Sequence, residues 1–333
     1  MNAEIPPTPP GTQTIVIERR ERTGLLKRLF QVGLFLLVLM LLFGGLMSRE
    51  SGFPTRLAER YVAGELTGPK VAVVAVEGAI GDESAEHAIR QLRQARADDL
   101  VKAVVLRVDS PGGTVTGSDR IWREVQVLKA SGKPVVASFG GVAASGGYYV
   151  AAPADHIVTE PTTMTGSIGV IFELPQVEEL LDKVGVSFET ITTGEWKDSG
   201  SMFRKMTPEE RERWRQMIDH SYQRFVRIVA QGRNLPLEAT KALANGKVYT
   251  ADEALKLKLV DQLGYLDDAV LEAQRRAKLE SAHVVRYAKP FTFTDALTGL
   301  SGGARGLDLD LGKALGAETM MNLRTPRMLF LAR

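Results

Sequence analysis

The chain has no cysteine. Disulfides and thiolate-held metals are therefore excluded. Histidine is scarce, with His87, His156, His220 and His283 the only 4. No two of them stand at metal-ligand spacing, such as i, i+4 on a helix. No metal and no cofactor are expected. An excess of one charge sign is also missing. The 42 basic residues nearly balance the 40 acidic ones. No global basic field exists to attract nucleic acid, and none is expected as a partner. No internal repeat is visible. A hydrophobic fraction of 44% and a charged fraction of 25% are ordinary for a globular chain.

One segment departs from that pattern. From Leu29 to Met47 only Gln31 is clearly polar. At about 1.5 Å per residue, a helix of this length reaches about 28 Å, close to the hydrocarbon thickness of a bilayer. Arg19, Arg20, Arg22, Lys27 and Arg28 precede it, whereas Arg49 and Glu50 after it cancel. The positive-inside rule then puts the N-terminus in the cytoplasm and the bulk of the chain across the membrane. A cleaved signal peptide would have a shorter apolar region ending in small residues. The Gly44-Gly45-Leu46-Met47-Ser48 stretch offers no good cleavage site. An uncleaved anchor over 29–47 is the expectation.

Residues 1–28, with Pro6, Pro7, Pro9 and Pro10, read as a disordered cytoplasmic tail. Residues 48–69 read as a stalk, 70–289 as the folded domain and 290–333 as a Gly-rich, weakly patterned C-terminal tail. Apolar runs at Val71–Glu77, Ala103–Val108 and Pro134–Phe139 read as buried strands. They alternate with helical periodicity at Gly117–Ala130 and beyond Ser145. This is the pattern of an α/β layered fold. At Thr207-Pro208-Glu209-Glu210 a capping Thr, a Pro and a Glu predict a helix start. That helix is expected to end near Gly232. Helices near 238–244, 251–258 and 265–279 and a strand at His283–Tyr287 should follow. The tail ends in the apolar Met328-Leu329-Phe330-Leu331.

Three loops can carry chemistry. Asp109-Ser110-Pro111-Gly112-Gly113-Thr114 follows a strand, and its glycines leave backbone N–H groups open. That suits an oxyanion hole, although taken alone the loop reads first as a tight turn. No G-K-[ST] follows, so a nucleotide loop is disfavoured. In Gly140–Tyr149, Ser145 stands between Ala144 and Gly146 at a strand-to-helix junction. It can be a nucleophile at a helix N-terminus or an ordinary helix cap. In Thr163–Val170, Ser167 can orient a base or simply serve a turn.

A nucleophilic serine needs a base. His156 opens a strand and reads as structural. Lys197 lies in Gly194-Glu195-Trp196-Lys197-Asp198-Ser199-Gly200. A free lysine amine has a pKa of about 10.4, and burial by apolar groups lowers it. Trp196 would contribute apolar cover, whereas Glu195 and Asp198 would favour the ammonium. Taken alone, Lys197 reads as a surface lysine.

Together the loops resemble the signal peptide peptidase A family of Ser–Lys proteases. The matching words are Asp109-Ser110-Pro111-Gly112-Gly113, Ala144-Ser145-Gly146-Gly147-Tyr148-Tyr149, Thr165-Gly166-Ser167-Ile168-Gly169-Val170 and Trp196-Lys197-Asp198. Val248-Tyr249-Thr250 and Leu259–Gly264 extend the resemblance, which runs from about Val71 to Gly264. It implies a fold similar to Clp protease and crotonase, with repeated ββα units. It implies Ser145 as nucleophile, Lys197 as general base and Ser167 as the group that orients the lysine. The N–H groups of Gly112 and Gly146 would form the oxyanion hole. It further implies a homo-oligomer, tetramer to octamer, with sites near subunit interfaces. The substrates would be remnant signal peptides or other apolar peptides at the lipid bilayer. The host membrane would be the bacterial cytoplasmic membrane, with the catalytic domain outside it.

Two positions depart from the family pattern: Asp109, where Asn is usual, and Lys258, where Gly is usual. The apolar end of the tail is expected to be able to occupy the substrate groove. Three other readings share these loops. One is a sibling Ser–Lys peptidase acting in membrane-protein quality control. The second is an acyl-CoA hydratase of the crotonase kind, and the third a non-catalytic membrane scaffold.

Overall fold

The computed structural model describes residues 28, 30–35, 56–288 and 328–331. Residues up to Thr55 form a unit separate from Arg56–Arg333. In the first unit, residues 30–35 are helical and exposed. The rest of the expected anchor 29–47 lies outside the described residues, as does the expected tail 1–28 apart from Arg28. Among the described residues no helix is long and apolar enough to cross a membrane.

The second unit begins with strands β1 (Ala58–Gly64) and β2 (Lys70–Glu77), helix α1 (Asp82–Ala97), and strands β3 (Val101–Ser110) and β4 (Gly112–Thr114). Helix α2 (Val115–Ala130), strand β5 (Val135–Ala144), helix α3 (Gly146–Ala151) and strands β6 (His156–Thr159), β7 (Met164–Gly166) and β8 (Ile171–Phe172) follow. Then come α4 (Glu178–Val184), α5 (Pro208–Gly232), α6 (Leu237–Leu243), β9 (Val248–Thr250) and α7 (Ala251–Lys256). Strand β10 (Gln262–Leu263), helix α8 (Leu266–Arg276) and strands β11 (His283–Ala288) and β12 (Met328–Leu331) complete it.

The main sheet is mixed and runs β1-β11-β2-β3-β5-β6-β10, with β7 on β5 and β9 on β7. Its central pairs are parallel. Strands β2 and β3 are nearly continuous Val, Ala and Leu because both faces of a parallel sheet are covered. Alternation sorts their side chains. Val71, Val73, Ala103 and Val105 pack with Ala269 and Ala273 of α8. Ala72, Val74, Val104 and Leu106 face the larger core shared with α1, α2, α3 and α5. Each fully buried valine or leucine contributes about 1.5–3 kcal/mol.

The segment expected as a stalk, 48–69, is not all connector. Its residues Ala58–Gly64 form β1, antiparallel to β11. The expected helix start at Thr207 is present. The Thr207 hydroxyl accepts from the Glu210 N–H at 3.2 Å, and the Glu210 carboxylate accepts from the Thr207 N–H at 2.9 Å.

A second, three-stranded sheet has the order β4-β12-β8. Both edges of β12 are paired antiparallel, with Gly112–Thr114 on one side and Ile171–Phe172 on the other. The C-terminal strand is thus inserted between two strands that flank the candidate site.

Candidate active site

Strand β5 carries the site because it is bulged. Its first half pairs with β3 up to Val108↔Phe139, and pairing resumes at Ser110↔Ala143. The bulge is fixed by Asp109, whose carboxylate accepts from the Val142 N–H at 3.1 Å. Beyond it, β5 pairs in parallel with β7, ending at Ala144↔Gly166.

The next residue on each strand is a serine. Ser145 has φ 53° and Ser167 has φ 49°, both in the left-handed region. Such a conformation costs a non-glycine residue about 1–3 kcal/mol and is held only where surroundings enforce it. The Ser167 N–H donates to the Lys247 carbonyl at 2.8 Å. Ser145 is fully buried, and its Oγ has no hydrogen-bond partner among the described residues. A buried hydroxyl left unpaired costs about 1–3 kcal/mol.

Gly146 opens α3, where the first N–H groups have no intrahelical acceptor. A Cβ on Gly146 would lie 2.6 Å from Ser118 Oγ and 3.1 Å from both Gly112 Cα and Gly113 N, so only glycine fits. That close approach brings the Gly112–Gly113 backbone beside Ser145. The Gly112 N–H is already engaged, donating to Ser110 Oγ at 3.1 Å. Gly113 is different. The Ile80 N–H donates to the Gly112 carbonyl, and the Thr114 N–H donates to the Ile80 carbonyl, each at 2.8 Å. Backbone groups alternate in direction along a strand, so the Gly113 N–H faces the other way, towards β12. Its partner there is Phe330. Sequence reading passed over Gly113; its signal is this strand alternation, which needs the Ile80 pairing to be known.

The Phe330 side chain is fully buried. It stacks on Tyr149 with ring centroids 4.9 Å apart and lies 4.8 Å from Phe225. The Tyr149 hydroxyl donates to Asp119 Oδ1 at 2.6 Å, and Arg224 pairs with the same carboxylate. Burial, then the Asp119 bond, pushes the Tyr149 phenol far above its usual range. Tyr149 and Phe225 thus form an aromatic pocket, filled by Phe330, on the helix that follows Ser145, and sequence reading did not assign it. Next to Ser167 lies a cleft of about 530 Å³ lined by Ser167, Val170, Ile171, Tyr222 and Asn245.

Lys197 is not brought to Ser145 within this chain, since Ser145 Oγ has no partner. It is exposed on the turn Gly194–Gly200, its N–H donating to the Gly194 carbonyl at 3.0 Å. Its neighbour Asp198 is clamped by Arg204 at 2.8 and 2.9 Å, and Arg204 also grips Glu210 at 2.6 and 2.9 Å. The Arg204 guanidinium holds both carboxyls below the usual carboxylate range. His156 is remote from Ser145, in contact with Gln262 and Arg276.

Sequence comparison shows what the chain is similar to. Residues 127–280 match the family model described as Peptidase family S49. Residues 68–164 match the model described as Clp protease, and the fold is Clp protease-like α/β with a mixed sheet. A Salmonella typhi protein named Protease 4 is 39% identical over 249 residues, covering 72% of this chain and 40% of its own length. A putative protease of Methanocaldococcus jannaschii is 39% identical over 234 residues, covering 70% of this chain and 73% of its own. A putative signal peptide peptidase of Enterococcus faecium is 39% identical over 204 residues, covering 61% and 59%. This chain thus spans less than half of the Salmonella protein's length.

Proposed function

Because the chain belongs to peptidase family S49, we propose that it is a membrane-anchored serine endopeptidase with a Ser145–Lys197 dyad. The observation that carries this reading is Ser145 itself. It is a buried, left-handed serine with an unpaired hydroxyl, next to backbone N–H groups that have no acceptor in their own helix or turn.

In the proposed reaction, the Lys197 amine takes the Ser145 Oγ proton, and Oγ attacks the peptide carbonyl carbon. The Gly113 and Gly146 N–H groups receive the developing oxyanion. Gly112, expected as a donor, instead shapes the turn, its own N–H bonded to Ser110. Such donors contribute about 10²–10³ each to the rate. The ammonium then protonates the leaving amine, and water, deprotonated by the same lysine, releases the acyl group. Ser167 holds the lysine amine from the neighbouring strand.

Lys197 needs burial for this role, and assembly would provide it. The arm that carries it exposes apolar groups: Leu180 is 61% exposed, Val184 63%, Phe188 56% and Ile191 90%. No residue of α4 is buried. Docking of this arm on a second copy would bury apolar surface and place a lysine amine in the cleft beside Ser167. A homo-oligomer is therefore part of the proposal.

The run Leu29–Met47 would anchor the chain in the membrane, with the N-terminus cytoplasmic and the peptidase unit outside. That location and the apolar pocket favour apolar peptides, with remnant signal peptides as substrates. The test uses full-length protein in detergent and fluorogenic apolar peptides. Ser145→Ala and Lys197→Ala should each lose about a thousandfold or more in kcat/KM. Unchanged cleavage by Ser145→Ala would remove the nucleophile and the reading with it.

A further inference from the structure

We propose that Asn245 is a positioning residue of the peptidase site, setting through its turn the place of Ser167 and so of the lysine amine; the inference rests on the peptidase reading above. Ser167 is left-handed, with φ 49°. A serine keeps that conformation only where its surroundings enforce it. The turn between α6 and β9 supplies the enforcement, from a distant part of the chain. The Ser167 N–H donates to the Lys247 carbonyl at 2.8 Å, and the Gly246 N–H donates to the Ile168 carbonyl at 3.1 Å. The two bonds run in opposite directions and grip the Ser167–Ile168 backbone at both ends. The approach is close: a Cβ on Gly166 would lie 3.0 Å from the Lys247 carbonyl oxygen. Any displacement of the turn therefore reaches Ser167 directly.

Asn245 fixes the turn itself. Its Oδ1 accepts from the Lys247 N–H at 3.0 Å, and its Nδ2 donates to the Ala242 carbonyl at 3.3 Å, in the last turn of α6. Asparagine suits this place because its short side chain bonds the backbone two residues on. Gly246 follows with φ 82°, where a side chain would be strained. Lys247 is thus held at its N–H by Asn245, while its carbonyl holds Ser167. A turn that served only to start β9 would need no bond to Ser167 or Ile168. Asn245 also lines the cleft of about 530 Å³ beside Ser167. Its amide is neutral, which suits a cleft that receives a lysine able to lose its proton. The charged groups lining the same cleft are Arg215 and Asp219 of α5. The Lys247 ammonium is turned to Glu253, at 3.1 Å.

Steady-state cleavage of apolar peptides by the full-length protein in detergent, followed over a range of pH, tests this. Asn245→Ala loses the Oδ1 acceptor and is expected to lower kcat about tenfold with KM little changed. Asn245→Asp keeps the acceptor but brings an anion to the cleft. It should retain most of the alkaline plateau while its acid limb moves to higher pH, because the anion favours the ammonium. In a Ser167→Ala background, Asn245→Ala should cost nothing further, since both changes remove one interaction. A further loss of similar size in that double variant would make the turn purely structural and overturn the inference. So would wild-type kcat in Asn245→Ala, or equal losses in the Asp and Ala variants at every pH. Wild-type kinetics in Ser167→Ala would overturn it too, leaving Ser145 and Lys197 in their roles. A wild type that cleaves nothing would overturn both readings.

Discussion

Ser145 is tied to the neighbouring strand in its left-handed conformation by a main-chain bond, its N–H donating to the Gly166 carbonyl at 2.8 Å, while its carbonyl accepts from the Tyr149 N–H at 2.8 Å. The strand pair that ends at Ala144↔Gly166 sets the position of that bond. Glycine adopts φ 53° without the Cβ penalty that serine meets. Ser145→Gly should therefore raise stability by about 1 kcal/mol while abolishing peptidase activity. Thermal melting and a peptide assay on the same sample check both halves. A variant less stable than wild type would mean that the backbone at Ser145 is not strained.

Gly146 tests the donor geometry without touching the nucleophile. An alanine Cβ there would meet Ser118 Oγ at 2.6 Å and the Gly112–Gly113 backbone at 3.1 Å. The two candidate donors would be pushed apart. Gly146→Ala is expected to lower kcat/KM by about a hundredfold or more. Ser118→Ala in the same chain removes the closest clash, so partial recovery in the double variant should follow. Wild-type kinetics in Gly146→Ala would exclude this turn from catalysis.

Lys197 and Ser145 are not in contact within one chain, and the arm bearing Lys197 exposes apolar surface. If assembly completes the site across subunits, two inactive variants can complement each other. Mixing Ser145→Ala with Lys197→Ala, followed by subunit exchange, should restore measurable cleavage. Activity should also rise more steeply than in proportion to enzyme concentration near the assembly threshold. Failure of the mixture, with each variant still oligomeric, would put serine and lysine in the same subunit.

The layered α/β fold was readable because its signals are local. Val71–Glu77 and Ala103–Val108 are apolar on both faces, and Thr207-Pro208-Glu209-Glu210 is a start signal that its own residues satisfy. Ser145 and Gly146 were readable for the same reason, as a serine in a glycine-rich strand-to-helix turn. Gly113 was not, because the direction of its N–H depends on Ile80, far back in the chain. The pocket of Tyr149 and Phe225 joins α3 to α5 and has no short-range signature. β1 was hidden by its exposure: every residue is solvent-facing, so no apolar pattern marks it.

Lys258, where the family pattern has glycine, illustrates a local rule broken at measurable cost. It follows α7 with φ 60°, the position where helices usually take glycine. Lys258→Gly should stabilise the protein by about 0.5–1 kcal/mol with unchanged peptide cleavage. The melting temperature decides it, and no rise would mean that the lysine side chain compensates.

Asp198 is the anion nearest to Lys197 in sequence, and Arg204 neutralises it with two hydrogen bonds while holding Glu210 with two more. A base must lose its proton to act, and nearby anions favour the ammonium. Besides Asp198, the charged groups near this turn are Glu195 on the same segment and Glu209, Glu212 and Arg213 lining the clefts beside Trp196. Removing the Arg204 charge leaves Asp198 ionised at neutral pH with no counter-ion. The acid limb of the pH profile of kcat/KM should then move to higher pH in Arg204→Gln, with the alkaline plateau largely kept. Arg204→Lys, which keeps the charge but loses the bidentate grip, should fall between the two. A loss of activity equal at every pH would reduce Arg204 to a structural clamp at the start of α5.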